Sequence, residues 1–144
     1  PMSDAITREH LLSMPSLFGR YHHGWETKDA DLIASLHSED TIFSLHDGSE
    51  PVRGRAALRQ HCIGMFEKFD FSFEMGRRLY GDDHWIFEWL MVLELTDETG
   101  VPFTAKVEML DVVTVNLAGE VTRKDVYMNG GQVQVAFQRA GIQP

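Results

Sequence analysis

The sequence predicts an α+β fold: a curved sheet of four to six strands, mixed but mostly antiparallel, wrapped around three N-terminal helices to form a conical pocket. Three observations predict it. Apolar residues up to about Lys68 recur at helical spacing, with one short strand among them. From Phe69 onward they alternate with a period of two. Polar turn sequences, Thr96-Asp97-Glu98-Thr99-Gly100 and Asn116-Leu117-Ala118-Gly119-Glu120, punctuate the alternating part as hairpins. Helices packed on one face of a meander give a two-layer domain, and curling the sheet around them leaves an apolar cone.

In chain order, residues 1–13 read as a lead-in, with a helical turn after Thr7. Pro15 fits a first turn capped by Ser13. Leu17, Phe18, Tyr21 and Trp25 then share one face of a first helix, with Arg20, His22 and Glu26 elsewhere around it. Asp29 caps a second short helix whose stripe is Leu32, Ile33 and Leu36. Thr41 to His46 reads as a strand, and Asp47-Gly48-Ser49-Glu50-Pro51 as a turn. A third helix runs from about Ala56 to Lys68, with Leu58, Cys62, Met65 and Phe66 inward. Four strands follow: Phe69 to Met75, Trp85 to Leu95, Phe103 to Asn116 and Val121 to Met128. The expected domain spans 14–135, and Gly130-Gly131 leads into a polar tail over 136–144.

At 144 residues the chain is long enough for one domain with a proper core. Hydrophobic content of 43% and charged content of 24% fit a soluble globular protein. A net charge of −9 argues against nucleic acid and anionic membranes as partners. The lone Cys62 leaves no disulfide framework and fits a reducing compartment. No apolar run approaches a membrane span, and the N-terminal stretch lacks the pattern of a signal peptide. These features together lead to an expected cytoplasmic location. The histidines His10, His22, His23, His37, His46, His61 and His84 show no ligand spacing, so neither a metal nor another cofactor is expected.

One residue breaks the pattern. In Phe103 to Asn116 the odd positions form an apolar row of Phe103, Ala105, Val107, Met109, Val113 and Val115, interrupted by Asp111. A carboxylate there is costly unless it is paired, hydrogen-bonded or neutralised by a raised pKa.

From about Ser16 to Met128 the chain resembles the ketosteroid isomerase, SnoaL-like cyclase and nuclear transport factor 2 superfamily of cone-shaped α+β domains. The matching motifs are Arg20-Tyr21, Asp29 with LIASLHSEDTIF, Gly48-Ser49-Glu50-Pro51, Gly54 with Ala57-Leu58-Arg59, Leu110-Asp111 and Ala118-Gly119-Glu120-Val121. The resemblance implies that Tyr21 and a protonated Asp111 donate hydrogen bonds to a substrate oxyanion, the arrangement known from ketosteroid isomerase. The family's general-base position falls on Leu45, which cannot take a proton. The resemblance offers Asp125, in the last strand, as a substitute base facing Asp111, with His46 in reserve. Epoxide hydrolase-like members place Arg and Asp where this chain has Trp89 and Met91, which disfavours their mechanism.

The implied activity is cofactor-free enolisation (isomerisation, aldol cyclisation or dehydration) of a hydrophobic oxygenated molecule such as a steroid, polyketide or terpenoid. Trp25, Phe43, Phe73, Trp85, Phe87, Trp89, Met91, Met109 and Tyr127 are the expected lining. Two alternatives stay open: a ligand-binding domain without chemistry, and a structural dimerisation module. The resemblance also implies a homodimer through the outer sheet face, which carries Glu88, Glu94, Lys106 and Glu108.

Overall fold

The Ser13 hydroxyl accepts a hydrogen bond from Ser16 N at 3.3 Å, and Pro15 sits in the first turn, so helix α1 (Met14–Glu26) begins where the sequence places it. The computed structural model describes residues 13–143. Residues 1–12 of the expected lead-in, with its helical turn and His10, lie outside the described residues. Asp29 caps α2 (Ala30–Ser35) by accepting from Leu32 N at 3.0 Å. Then come β1 (His37–Ser44), β2 (Val52–Arg53) and α3 (Arg55–Lys68). Strands β3 (Phe71–Tyr80), β4 (His84–Thr96), β5 (Pro102–Val115) and β6 (Val121–Met128) follow.

One six-stranded open sheet results, in the order β2-β1-β6-β5-β4-β3. All neighbours are antiparallel except β1 and β6, which run parallel with Ser44 opposite Asp125. Strand β5 is buried at each odd position from Val107 to Val115 and only part-buried or exposed at the even ones, so the period-two reading of its sequence holds. The helices cover the odd face of β5, where Phe18, Trp25, Leu58, Trp85, Leu93, Val107 and Val113 form the core.

Two sequence expectations need correction. Strand β1 starts at His37 rather than Thr41, which places the His37 side chain in the core with no exposure. Residues 136–140 of the expected polar tail instead belong to helix α4 (Gly130–Ala140), so the expected boundary at 135 falls inside an element. Asn129 caps α4 by accepting from Gln132 N at 3.1 Å, and Gly141 ends it in the left-handed conformation. The Gly-Gly pair hides this helix in the sequence, but Val133, Ala136 and Phe137 keep its i, i+3, i+4 stripe. Strand β6 ends opposite Met109, and α4 covers part of the edge it leaves: Glu108 N donates to Gln132 Oε1 at 2.7 Å.

Candidate active site

A cavity of about 350 Å³ opens between the sheet, α1, α3 and α4. Its walls are almost wholly apolar: Trp25 from α1, Phe43 from β1, Met65 from α3, Phe71 and Phe73 from β3, and Trp89, Met91 and Leu93 from β4. Met109 on β5, Val126 and Met128 on β6, and Val133 and Phe137 on α4 complete them. Phe137 stacks on Phe69 with ring centroids 6.0 Å apart, so the helix missing from the sequence reading supplies part of the rim. Of the expected lining, Trp25, Phe43, Phe73, Trp89, Met91 and Met109 face this cavity. Trp85 and Phe87 pack instead around Phe18 in the core, and Tyr127 is on the outer sheet face.

Among the lining residues, the buried charged ones are Asp111 and Lys124. Lys124 Nζ lies 3.6 Å from Asp111 Oδ2, and each side chain is 6% exposed. The pairing follows from register. Across the β5–β6 hairpin Val113 faces Lys124 and Asp111 faces Val126, so Lys124 and Asp111 are diagonal neighbours on one face. The ammonium also sits 4.1 Å from the Trp25 ring centroid, 4.9 Å from Tyr21 and 5.7 Å from Phe43. Such cation–π contacts return about 0.5–2 kcal/mol each against the cost of burying the charge. They do not fully offset it. Burial pushes the Asp111 carboxyl up, against the pull of Lys124, and pushes the Lys124 ammonium down, against the pull of Asp111. Both shifts are toward the neutral forms, because burial penalises each charge more than its partner relieves it.

Three buried polar atoms around this pair have no hydrogen-bond partner: Asp111 Oδ1, Trp89 Nε1 and Trp25 Nε1. The Trp89 indole is close enough to favour the ionised form of Asp111, but it does not reach hydrogen-bond geometry. One free acceptor and two free donors beside a buried acid–amine pair can take up a polar group on a ligand. Asp47 at the exposed rim already accepts from Ser49 N at 2.9 Å, and its carboxyl is held below the usual range by Ser49.

The remaining expected site residues fall elsewhere. Tyr21 is buried but does not line the cavity, and its hydroxyl is 2.8 Å from His37 Nε2. Thr41 Oγ1 donates to the Val121 carbonyl, which leaves it to accept from His37 Nδ1 at 2.8 Å; His37 Nε2 is then the acceptor of the Tyr21 proton. The Tyr21 hydroxyl is thus engaged with His37 rather than directed into the cavity beside Asp111. Asp125 is opposite Val112, on the other face of the sheet from Asp111, so it does not face the cavity as expected. It is held by Arg123 at 2.9 Å and by His46 Nε2 at 2.7 Å. Burial would raise its pKa, but the bonds from Arg123 and His46 hold it below the usual range. His46 adopts φ +51° and stacks on Tyr127 with centroids 4.2 Å apart, so the reserve base is also outside the cavity. Leu45, at the family's base position, does line it.

Lys124 is the site residue the sequence reading missed. Its signal was present: Lys124, Val126 and Met128 share one parity in β6, so it interrupts an apolar row as Asp111 does in β5.

A model of the SnoaL-like domain matches residues 18–124. No curated relative matches the chain in sequence. Among solved structures, a candidate SnoaL-like polyketide cyclase from Shewanella denitrificans superposes with a TM-score of 0.74 at 12% identity, over 86% of this chain and 96% of that one. A protein with a ketosteroid isomerase-like fold from Catenulispora acidiphila, solved with trimethylamine, gives 0.73 at 14% identity, over 91% and 96%. The epoxide hydrolase/cyclase-like enzyme of pyran ring formation in the polyether salinomycin gives 0.69 at 17% identity, over 82% and 92%. At these identities the likeness is one of fold. With its family model covering most of the cone, from α1 into β6, this chain belongs to the SnoaL-like domain family.

Proposed function

We propose that the cavity binds a hydrophobic, oxygen-bearing small molecule of the steroid, polyketide or terpenoid kind and promotes cofactor-free enolisation of it. One observation carries this reading: a buried Asp111–Lys124 pair, its polar atoms 3.6 Å apart, stands at the inner end of an otherwise apolar cavity of about 350 Å³. The apolar walls favour a largely hydrocarbon ligand at about 25 cal/mol per Å² of surface removed from water. The unpartnered indole donors and Lys124 attract a carbonyl oxygen to the same end. With the carbonyl polarised there, the acidity of the adjacent C–H rises, and the basic partner of the pair can accept the proton. Asp111 keeps the role of neutral donor. Asp125 and His46 have no part in this scheme, because the sheet stands between them and the cavity.

The test is deuterium incorporation next to the carbonyl in a panel of steroid and polyketide ketones, compared with buffer. Exchange that is saturable and is lost in Asp111→Asn supports the chemistry. Saturable binding without exchange would leave the second reading, a ligand-binding domain without chemistry. The replacement of the family base by Leu45 favours that reading.

The assembly belongs to the same proposal. Ile86, Leu90, Val92, Leu110 and Val112 are only part-buried on the outer sheet face, and Leu79 and Tyr127 are 44% and 46% exposed there. An apolar patch of this kind supports a homodimer through that face. A monomer by analytical ultracentrifugation at micromolar concentration would exclude it. No helix among the described residues is long and apolar enough to cross a membrane. The buried, unpaired Cys62 supports a reducing, cytoplasmic location.

A further inference from the structure

Lysine is an unusual residue for the closed end of an apolar cavity, and the cage around Lys124 has a chemical consequence. A neutral amine there is a nucleophile, and lysines desolvated in this way are the ones that form Schiff bases. Asp111 Oδ2, 3.6 Å from Nζ, is near enough to carry protons to and from the reacting centre. The Trp25, Tyr21 and Phe43 rings that now surround the ammonium would equally stabilise a protonated imine at the same position.

We propose that Lys124 captures a hydrophobic ketone or aldehyde as a covalent iminium, with Asp111 as its proton shuttle. The inference rests on the cavity being the ligand site described above, and it names the substrate class. Proton transfer within the pair first yields the free amine and the carboxylic acid. The amine lone pair then forms the C–N bond, and the carbonyl π pair moves to oxygen, which takes the Asp111 proton. The Asp111 carboxylate next removes a proton from the new ammonium, giving a neutral carbinolamine. Asp111 returns that proton to the hydroxyl, and the nitrogen lone pair expels water, which leaves iminium and carboxylate. Nothing is oxidised or reduced. The iminium is a stronger electron sink than the ketone, so Asp111 can then remove the neighbouring proton to form an enamine. Reprotonation and hydrolysis release product and regenerate the amine.

The test is reductive trapping of the intact protein with 6-methoxy-2-naphthaldehyde and the corresponding methyl ketone, using cyanoborohydride at pH 7, followed by peptide mapping. Quenching of tryptophan fluorescence by the same probes reports binding separately. Burial lowers the pKa of the Lys124 ammonium and so raises its free-base fraction, and Lys124 is expected to be labelled several-fold faster than exposed Lys106. Lys124→Arg should remove the adduct. Asp111→Asn, which keeps the amine, should slow trapping about tenfold or more. Should Lys124→Arg fail to fold, the wild-type ratio of Lys124 to Lys106 labelling still decides. Saturable quenching with adducts only on Lys28, Lys68, Lys106 or the terminal amine would overturn covalent capture and leave the binding site standing. Neither quenching nor adduct would overturn both.

Discussion

Replacing Lys124 by methionine is the perturbation with the largest expected consequence. At 3.6 Å, and with an effective dielectric of about 20, its attraction to Asp111 is about 5 kcal/mol. Burying two ions costs several kcal/mol each, and the opposed pKa shifts indicate that this cost exceeds the attraction. The pair is therefore expected to be less stable than a pair of apolar side chains, while each member still depends on the other. Lys124→Met and Asp111→Leu should each destabilise by about 3–5 kcal/mol at pH 7, a fall in Tm of roughly 10–20 °C. The double variant should return to wild-type stability or exceed it by about 1–4 kcal/mol.

The pH dependence has a definite sign. The raised pKa of Asp111 means that its penalty is absent below about 3.8 and sets in as pH rises. The lowered pKa of Lys124 means that its penalty persists until pH approaches 10.5 and vanishes above. The double variant should thus gain most over wild type between these limits. Urea denaturation, followed by circular dichroism across that range, measures the cycle. Additivity of the two single effects to within about 0.5 kcal/mol would refute the coupling.

Three further outcomes are expected. Burial lowers the His37 pKa to about 3, so native stability should fall as pH drops from 6.5 toward that value, by roughly 5 kcal/mol in total. Urea titrations of wild type and His37→Gln should differ in slope by about one proton, and equal slopes would show that His37 protonates freely. Burial pushes the Cys62 thiol up to about 11, so it should resist Ellman's reagent in the native protein and react once unfolded; prompt native labelling would contradict its position in the core. Asp125→Asn loses only partly exposed contacts to His46 and Arg123. It should change stability by less than about 1 kcal/mol and leave probe quenching intact; a loss of quenching would tie the outer face to the cavity.

Legibility of the site followed the pattern of alternation. In β5 the apolar row is long, so a single acid stands out within it. In β6 the row Thr122, Lys124, Val126 and Met128 is short and half polar, and the resemblance drew attention to Asp125 on the other parity. Register decided between them: Asp111 lies opposite Val126, which sends Lys124 inward and Asp125 outward. Applied to β6, the test that isolates Asp111 also isolates Lys124, as one charge in an inward row. His37 could not be recovered in that way, because β1 begins four residues earlier than its apolar alternation suggests.

The order of α1 to α3, β1 and the β3–β6 meander, the caps at Ser13 and Asp29, the hairpins and the buried face of β5 come from the sequence alone, whereas β2 and α4 do not. The former are set by local periodicity and by residues within a few positions of one another, which act before any tertiary contact forms. The site partners belong to the tertiary structure. Whether Tyr21 bonds to Asp111 or to His37, and which side chain meets Asp111 at the end of the cavity, depends on strand register and helix placement. These contacts lie far apart in the chain, and only the packed fold brings them together.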